Sequence, residues 1–133
     1  MSANTKPTAS ELEILNILWA NGPSTVRFIH DELVKTKDAG YTTTLKLMQI
    51  MMEKQLLKRD DSGKSHVYTP NISQEKTRGQ LVKRMIDNVF NGSASQLVMQ
   101  ALGNHKANKA ELEEIRKYLD EITKSNKTDS KSR

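Results

Sequence analysis

Apolar residues in the first 55 positions fall into three groups with a spacing of three or four, the period of an amphipathic helix. Thr8-Ala9-Ser10-Glu11 opens the first group with a capping-box pattern, in which the Thr and Glu side chains each accept a backbone N–H. Asn21-Gly22-Pro23 ends this helix, and the polar residues 35–40 end the next one. The predicted buried stripes are Leu12, Leu15, Leu18 and Trp19 in helix one, Val26, Ile29 and Leu33 in helix two, and Leu45, Met48 and Met52 in helix three, which covers about residues 42–55.

A β-hairpin is predicted directly after the third helix. Residues 57–60 and 65–69 are strand-like, and Asp61-Ser62-Gly63-Lys64 between them has the composition of a turn. Pro70 ends the second strand because proline has no N–H to donate to a neighbouring strand. Three helices followed by a hairpin is the order of a winged helix-turn-helix. The predicted fold class is therefore mainly α, with a winged-helix domain in residues 1–70.

The second half of the chain has a helical pattern, and its apolar stripes need a partner. An isolated helix of the length of the last one is marginal in water, so it packs either on its own chain or on another copy. We expect residues 71–124 to form a helical dimerisation region, with an ordinary intramolecular bundle as the alternative. Residues 125–133 have no apolar side chain and are predicted to be a disordered tail. The expected interface residues are Leu81, Met85, Val89, Leu97, Leu112, Ile115, Leu119 and Ile122.

Composition argues against several classes of protein. The chain has no cysteine, which excludes disulfides and thiolate metal sites. Its three histidines are far apart in sequence, and it has no phosphate-binding glycine loop or nucleophile elbow. We therefore predict no catalytic residue, no metal site and no cofactor, and the protein is not expected to be an enzyme. No apolar run approaches the roughly 20 residues that span a bilayer, so we expect a cytoplasmic protein without membrane insertion.

In a winged helix-turn-helix, the third helix enters the major groove of double-stranded DNA. The front of this helix carries hydroxyl and basic side chains that suit phosphates and base edges. Net charge is weak evidence, because residues 1–70 carry 9 Lys and Arg against 8 Asp and Glu. A protein-interaction module and a ligand-sensing regulator without protease control remain alternatives, and Thr42 has an alternative role as the helix cap. The predicted DNA-binding residues are Thr42, Thr43, Thr44, Lys46 and Gln49 in the helix and Arg59, Lys64 and His66 in the hairpin.

The chain resembles the penicillinase repressor (BlaI/MecI/CopY) family of winged-helix transcriptional regulators. The resemblance lies in an ordered set of short motifs and not in any single one. It covers nearly the whole chain apart from the first six residues and the tail. The matching motifs are Thr8-x-x-Glu11, the segments 12–19 and 22–29, Tyr41-Thr42-Thr43, Glu53-Lys54 and Val67-Tyr68-Thr69-Pro70.

The resemblance implies a homodimeric repressor that reads a palindromic operator. In many members of the family, a membrane sensor-protease system triggers cleavage of an Asn–Phe bond in the C-terminal region. The aligned pair in this chain is Gln100-Ala101, which departs from that pattern. Many members carry a basic residue late in the third helix, where this chain has Ile50. The copper-sensing members carry a cysteine cluster that this chain lacks.

Overall fold

The computed structural model describes residues 6–131, with side chains described for residues 6–126. Within this range the chain forms six helices and one antiparallel hairpin, in the predicted order. The elements are α1 (Ala9–Asn21), α2 (Val26–Leu33), α3 (Tyr41–Glu53), β1 (Leu57–Asp60), β2 (Val67–Pro70), α4 (Gln74–Asn88), α5 (Ala94–Asn104) and α6 (Lys109–Lys131). The chain divides into two compact units, Met1–Leu81 and Val82–Arg133.

The first helix begins with the predicted capping box. The Glu11 backbone N–H donates to Thr8 Oγ1 at 3.2 Å, and the Thr8 N–H donates to Glu11 Oε1 at 2.9 Å. Helix α1 ends at Gly22, whose φ of 84° lies in the left-handed region that glycine tolerates best. These two local signals confirm both ends of the predicted helix.

The core of the first unit lies where α1, α2, α3 and the hairpin meet. Helix α2 buries the stripe that its periodicity predicts. Helix α1 also buries Ile14, and α3 buries Thr44 and Met51 more fully than the predicted Leu45 and Met52. Trp19, Leu45 and Met52 were predicted to be buried and lie partly buried against this core. The buried apolar residues are Ile14, Leu15, Leu18, Val26, Ile29, Leu33, Met48, Met51, Leu56, Leu57 and Tyr68.

Helix α3 turns into β1 through a Schellman motif. The Leu56 N–H donates to the Met51 carbonyl, and the Gln55 N–H donates to the Met52 carbonyl. Gln55 has a φ of 63°, a left-handed conformation that reverses the chain at this point. The motif places the buried Leu56 directly before the hairpin. It therefore fixes the point at which the hairpin, the wing of the fold, leaves the third helix.

The hairpin is tied to the helices by a third strand-like segment. Its strands pair in register from Leu57 opposite Pro70 to Asp60 opposite Val67. Ser24, between α1 and α2, exchanges two backbone hydrogen bonds with Tyr68, of 3.0 and 2.8 Å. This bridge holds the wing against the helix-turn-helix.

The first unit extends beyond the predicted boundary at residue 70. Ile72 packs against the core, and its carbonyl accepts a hydrogen bond from the Trp19 indole at 3.3 Å. Thr77, in the first turn of α4, is also buried. The start of α4 therefore belongs to the compact unit that ends at Leu81.

The apolar side chains of the second unit are exposed or half-buried. Among its described side chains, residues 82–126, none is buried. Helix α6 extends to Lys131, and the disordered tail of residues 125–133 stays a prediction. The segment contains no glycine or proline that would stop a helix. Residues 132–133 of the predicted tail lie outside the described residues.

Candidate nucleic-acid interface

Helix α3 has one buried face and one open face. Thr44, Met48 and Met51 recur at a spacing of four and three, and they point into the core. The side chains of the opposite face are exposed. They are Thr42, Thr43, Lys46, Gln49 and Ile50. The structure therefore brings four of the five residues predicted for this helix onto one accessible surface.

Thr44 is the exception, and its prediction as a DNA contact is wrong. Its side chain is 2% exposed, and its hydroxyl is already used by two partners. His30 Nδ1 lies 3.0 Å from Thr44 Oγ1, and the hydroxyl donates to the Gly40 carbonyl at 3.3 Å. Because the hydroxyl has one hydrogen, both bonds hold together when His30 Nδ1 carries a proton and donates. Thr44 thus joins α2 to α3.

The N-terminus of α3 is capped by backbone alone. Gly40 is the N-cap, and no side chain accepts from the first turn, so Thr42 is not the cap. The ring of Tyr41 lies beside this end, with the Arg27 guanidinium 4.7 Å from its centroid and the His30 ring edge-on at 5.4 Å. The free N–H groups of the first turn, together with Arg27, give this end of the helix a positive character.

The C-terminus of α3 is anchored by a buried ion pair. Lys54 Nζ lies 2.7 and 2.8 Å from the two carboxylate oxygens of Glu11. Glu11 is 2% exposed, whereas the Lys54 side chain keeps 27% of its surface in contact with solvent. The sequence indicated Glu11 only as a capping residue, because nothing local connects it with a lysine 43 positions away. The pair fixes the far end of α3 on α1.

On the wing, which is the β1–β2 hairpin, one carboxylate contacts two of the three side chains that were predicted to bind DNA. Asp61 Oδ1 lies 2.7 Å from Arg59 Nε and 2.7 Å from His66 Nδ1, and Asp61 Oδ2 lies 3.2 Å from Arg59 Nη2. Hydrogen bonding to the side chains of Tyr68 and then Asp61 raises the pKa of Arg59 above its ordinary value. Lys64 at the tip is exposed and has no ion-pair partner among the described residues. Of the predicted wing contacts, Lys64 is therefore the most available.

The neighbouring Asp60 plays a different part. Its carboxylate accepts the Ser62 backbone N–H at 2.9 Å and so shapes the turn. The Ser62 side-chain and backbone hydrogen bonds lower the pKa of Asp60 below its ordinary value. Asp60 is therefore ionised at neutral pH without contacting either wing cation.

The residues predicted for dimerisation lie in α4, α5 and α6, and all of them are at least partly accessible. Val89 is 63% exposed, Leu119 is 54% exposed and Met85 is 47% exposed. Leu112 and Ile122 are also exposed, while Leu81, Leu97 and Ile115 are half-buried. Apolar side chains that sequence reasoning did not assign to an interface are exposed as well, including Met99 at 72% and Tyr118 at 63%.

Three helices, a short turn before the third helix, and a hairpin after it define the first unit as a winged helix-turn-helix. A model of the penicillinase repressor family matches residues 7–121. The chain therefore belongs to the penicillinase repressor family.

Named relatives cover most of the chain. It is 26% identical to a penicillinase repressor of Staphylococcus aureus over 115 residues, which is 86% of this chain and 91% of that protein. It is 24% identical to a penicillinase repressor of Bacillus licheniformis, over 84% of this chain and 88% of that one. It is 23% identical to the methicillin resistance regulatory protein MecI of Staphylococcus aureus, over 84% and 91% of the two chains.

A solved structure is similar to part of the chain. It is the solution structure of monomeric BlaI from Bacillus licheniformis in complex with the blaP half-operator, with a TM-score of 0.48 and 25% identity. The match covers 53% of this chain and 87% of that one.

The relatives named above are repressors and regulators, so the expectation that the protein is not an enzyme agrees with its family. Within residues 6–131, no helix is long and apolar enough to cross a membrane. No cluster of His, Cys, Asp or Glu in the described part of the chain is arranged to hold a metal ion.

Proposed function

We propose that this protein is a dimeric, sequence-specific DNA-binding repressor of transcription. The observation that carries the proposal is the open face of α3, which presents Thr43, Lys46 and Gln49 to one side while the opposite face is buried. Membership of the penicillinase repressor family supports the same function. Helix α3 lies in the major groove, and the hairpin acts as a wing on the flanking backbone.

The front of α3 divides its contacts between phosphates and bases. The uncapped first turn and the hydroxyls of Thr42 and Thr43 receive a phosphate, because N–H groups at a helix start favour anions. Lys46 and Gln49 lie one turn further on and reach base edges, where a glutamine pairs with adenine in a bidentate way. Exposed Ile50 offers an apolar contact to a thymine methyl group.

Two copies of the chain read a palindromic site. The exposed apolar side chains of α4, α5 and α6 supply the surface that two copies bury against each other. A two-fold dimer places two α3 helices on half-sites that are about one helical turn apart, or a multiple of it. The half-site spacing is then set by the second unit, and the base preference is set by the first.

The setting of this repressor is the cytoplasm, where DNA is accessible to it. A membrane sensor-protease system relieves repression in many relatives, as the resemblance implies. The aligned bond, between Gln100 and Ala101, lies inside α5 with both side chains exposed. Any cleavage here follows a different residue preference, because neither residue matches the Asn–Phe pair.

Footprinting of the DNA upstream of the protein's own gene tests the proposal. We expect two related half-sites to be protected, with their centres about 10 base pairs apart or a multiple of that spacing. Protection of a single site without two-fold symmetry would contradict the proposal that a dimer binds a palindromic operator. Absence of protection at low salt would favour a protein-interaction module instead.

A further inference from the structure

The wing carries an arginine whose charge is balanced by a neighbouring carboxylate. Arg59 follows the core-facing Leu57 by two positions, and Asp61 follows by two more, so all three share one face of the hairpin. His66 stands opposite Asp61, one step beyond the last paired residues, Asp60 and Val67. The Arg59 guanidinium and the His66 ring therefore converge on a single carboxylate, with Arg59 Nε and His66 Nδ1 each 2.7 Å from Asp61 Oδ1.

The contact with Arg59 uses one edge of the guanidinium. Nε and Nη2 meet the two oxygens of Asp61 in a fork at 2.7 and 3.2 Å. A bidentate pair of this kind is stronger and better oriented than a single charged hydrogen bond. The same fork is a geometry with which arginine binds a phosphate, so Asp61 occupies one bidentate edge of Arg59 and balances its charge.

We propose that Asp61 is a specificity-determining residue, which holds Arg59 and His66 on the wing and so limits its attraction for DNA of any sequence. The inference rests on the proposed DNA-binding function. The wing then contacts DNA through Lys64 at its tip and Lys58 in β1, both exposed and without an ion-pair partner among the described residues. Asp61 acts through these two side chains and touches no base.

The consequence follows from how DNA binding depends on salt. Non-specific affinity comes almost entirely from phosphate neutralisation, and each added phosphate contact steepens the plot of log K against log salt by about 0.9. At about 0.1 M salt, one further contact strengthens binding roughly five- to tenfold. On an operator, the base contacts of α3 fix the register, so fewer phosphates lie within reach of the released side chains. Releasing them therefore raises affinity for random duplex more than affinity for the operator.

The test compares Asp61→Asn with Asp60→Asn in the full-length protein, on operator and random duplexes over a range of salt. Both substitutions remove one negative charge at adjacent positions. Asn at position 60 keeps an oxygen for the Ser62 N–H, and no wing cation contacts that residue. Asp61→Asn is expected to steepen the salt dependence on random duplex by about 0.9 or more and to lower the ratio of operator to random affinity. Asp60→Asn is expected to change both quantities much less.

The same substitution in a protein that lacks Arg59 tests whether Arg59 is the side chain that Asp61→Asn releases. Asp61→Asn introduced into an Arg59→Ala protein should give a clearly smaller gain on random duplex than in the wild-type background. Equal effects of the two Asn variants, or an equal gain in both backgrounds, would overturn the proposal, because Asp61 would then act only as one more negative charge. Wild-type binding to the operator is measured first. If the wild type fails to bind, the proposed function fails, whereas the comparison of variants tests Asp61 alone.

Discussion

Two adjacent threonines show how one turn of a helix serves two purposes. Thr43 is exposed on the face of α3 that we assign to DNA, while Thr44 is buried and bonded to His30. The sequence placed both among the DNA contacts, because side-chain chemistry alone does not distinguish them. The signal for Thr44 was its spacing, since it precedes the buried Met48 by four residues and Met51 by seven.

Replacing each threonine by valine separates stability from binding. Thr44→Val removes the hydroxyl bonds to His30 and Gly40 without changing the shape of the side chain. We expect the free energy of unfolding to fall by about 1 kcal/mol or more, because the Gly40 carbonyl also loses its side-chain donor. Thr43→Val should leave the free energy of unfolding within about 0.5 kcal/mol and weaken operator binding. Urea denaturation at one protein concentration gives the free energy of unfolding, and an operator titration gives the affinity. A lower free energy of unfolding for Thr43→Val would contradict the assignment of Thr43 to DNA binding alone.

Lys46 is the exposed cation at the centre of the α3 surface. Lys46→Ala is expected to weaken operator binding by about 1–3 kcal/mol and to relax base preference at one position of each half-site, as a base contact requires. Lys117→Ala, on α6, is the matched control, and we expect it to leave binding unchanged. Titration against operators with single base changes measures the effect. Equal weakening on every sequence would assign Lys46 to a phosphate.

At the scale of the elements, α3 is held at both ends by contacts with different helices. The Thr44–His30 bond fixes its N-terminus on α2, and the Lys54–Glu11 pair fixes its C-terminus on α1. A recognition helix has to keep its angle to the rest of the domain for its side chains to meet base edges. The two contacts and the buried methionines supply that rigidity.

The Lys54–Glu11 pair is open to a direct test. Lys54→Met leaves the Glu11 carboxylate buried without its countercharge. We expect the free energy of unfolding to fall by about 3 kcal/mol, the lower end of the range for breaking a buried pair, since Lys54 is partly solvated. The double variant Glu11→Gln with Lys54→Met should recover part of this loss, because no unpaired charge is left. Urea denaturation compares them, and a double variant less stable than Lys54→Met would contradict the account.

The elements of the first unit were largely predictable because their signals are local. The capping box at Thr8, the glycine at the end of α1 and the turn residues of the hairpin act within a few positions of each other. The contacts that orient these elements were not predictable, since Glu11 meets Lys54 and Ser24 meets Tyr68 only after the chain has folded. The contacts of Asp61 with Arg59 and His66 were not predictable for the same reason, because they depend on strand register.

At the scale of the whole molecule, the two units differ in how they bury apolar surface. The first has a closed core, whereas the described side chains of residues 82–126 include no buried one. A stable unit of this kind needs a partner for its apolar side chains. The sequence indicated the need for this partner, and the assignment of a second copy as the partner stays a prediction.

Ile115→Glu tests the dimer. It places a charge in the middle of the last apolar stripe, and we expect a folded monomer with weaker operator binding, because burying an unpaired charge is costly. Ala110→Glu adds the same charge to an exposed position of α6 outside the stripe and should remain dimeric. Sedimentation equilibrium decides between the two outcomes, with circular dichroism to verify folding. A dimeric Ile115→Glu protein would show that the last helix is not the main interface.

We propose that α3 and the wing together form a surface that recognises a DNA sequence. The most direct test of this proposal is a titration of the full-length protein against DNA from upstream of its own gene and against random duplex, each at two salt concentrations. We predict tighter binding to the upstream DNA at both concentrations, with affinity that falls as salt rises because phosphate contacts release counterions. Equal affinity for the two duplexes, or no binding at the lower salt concentration, would contradict it.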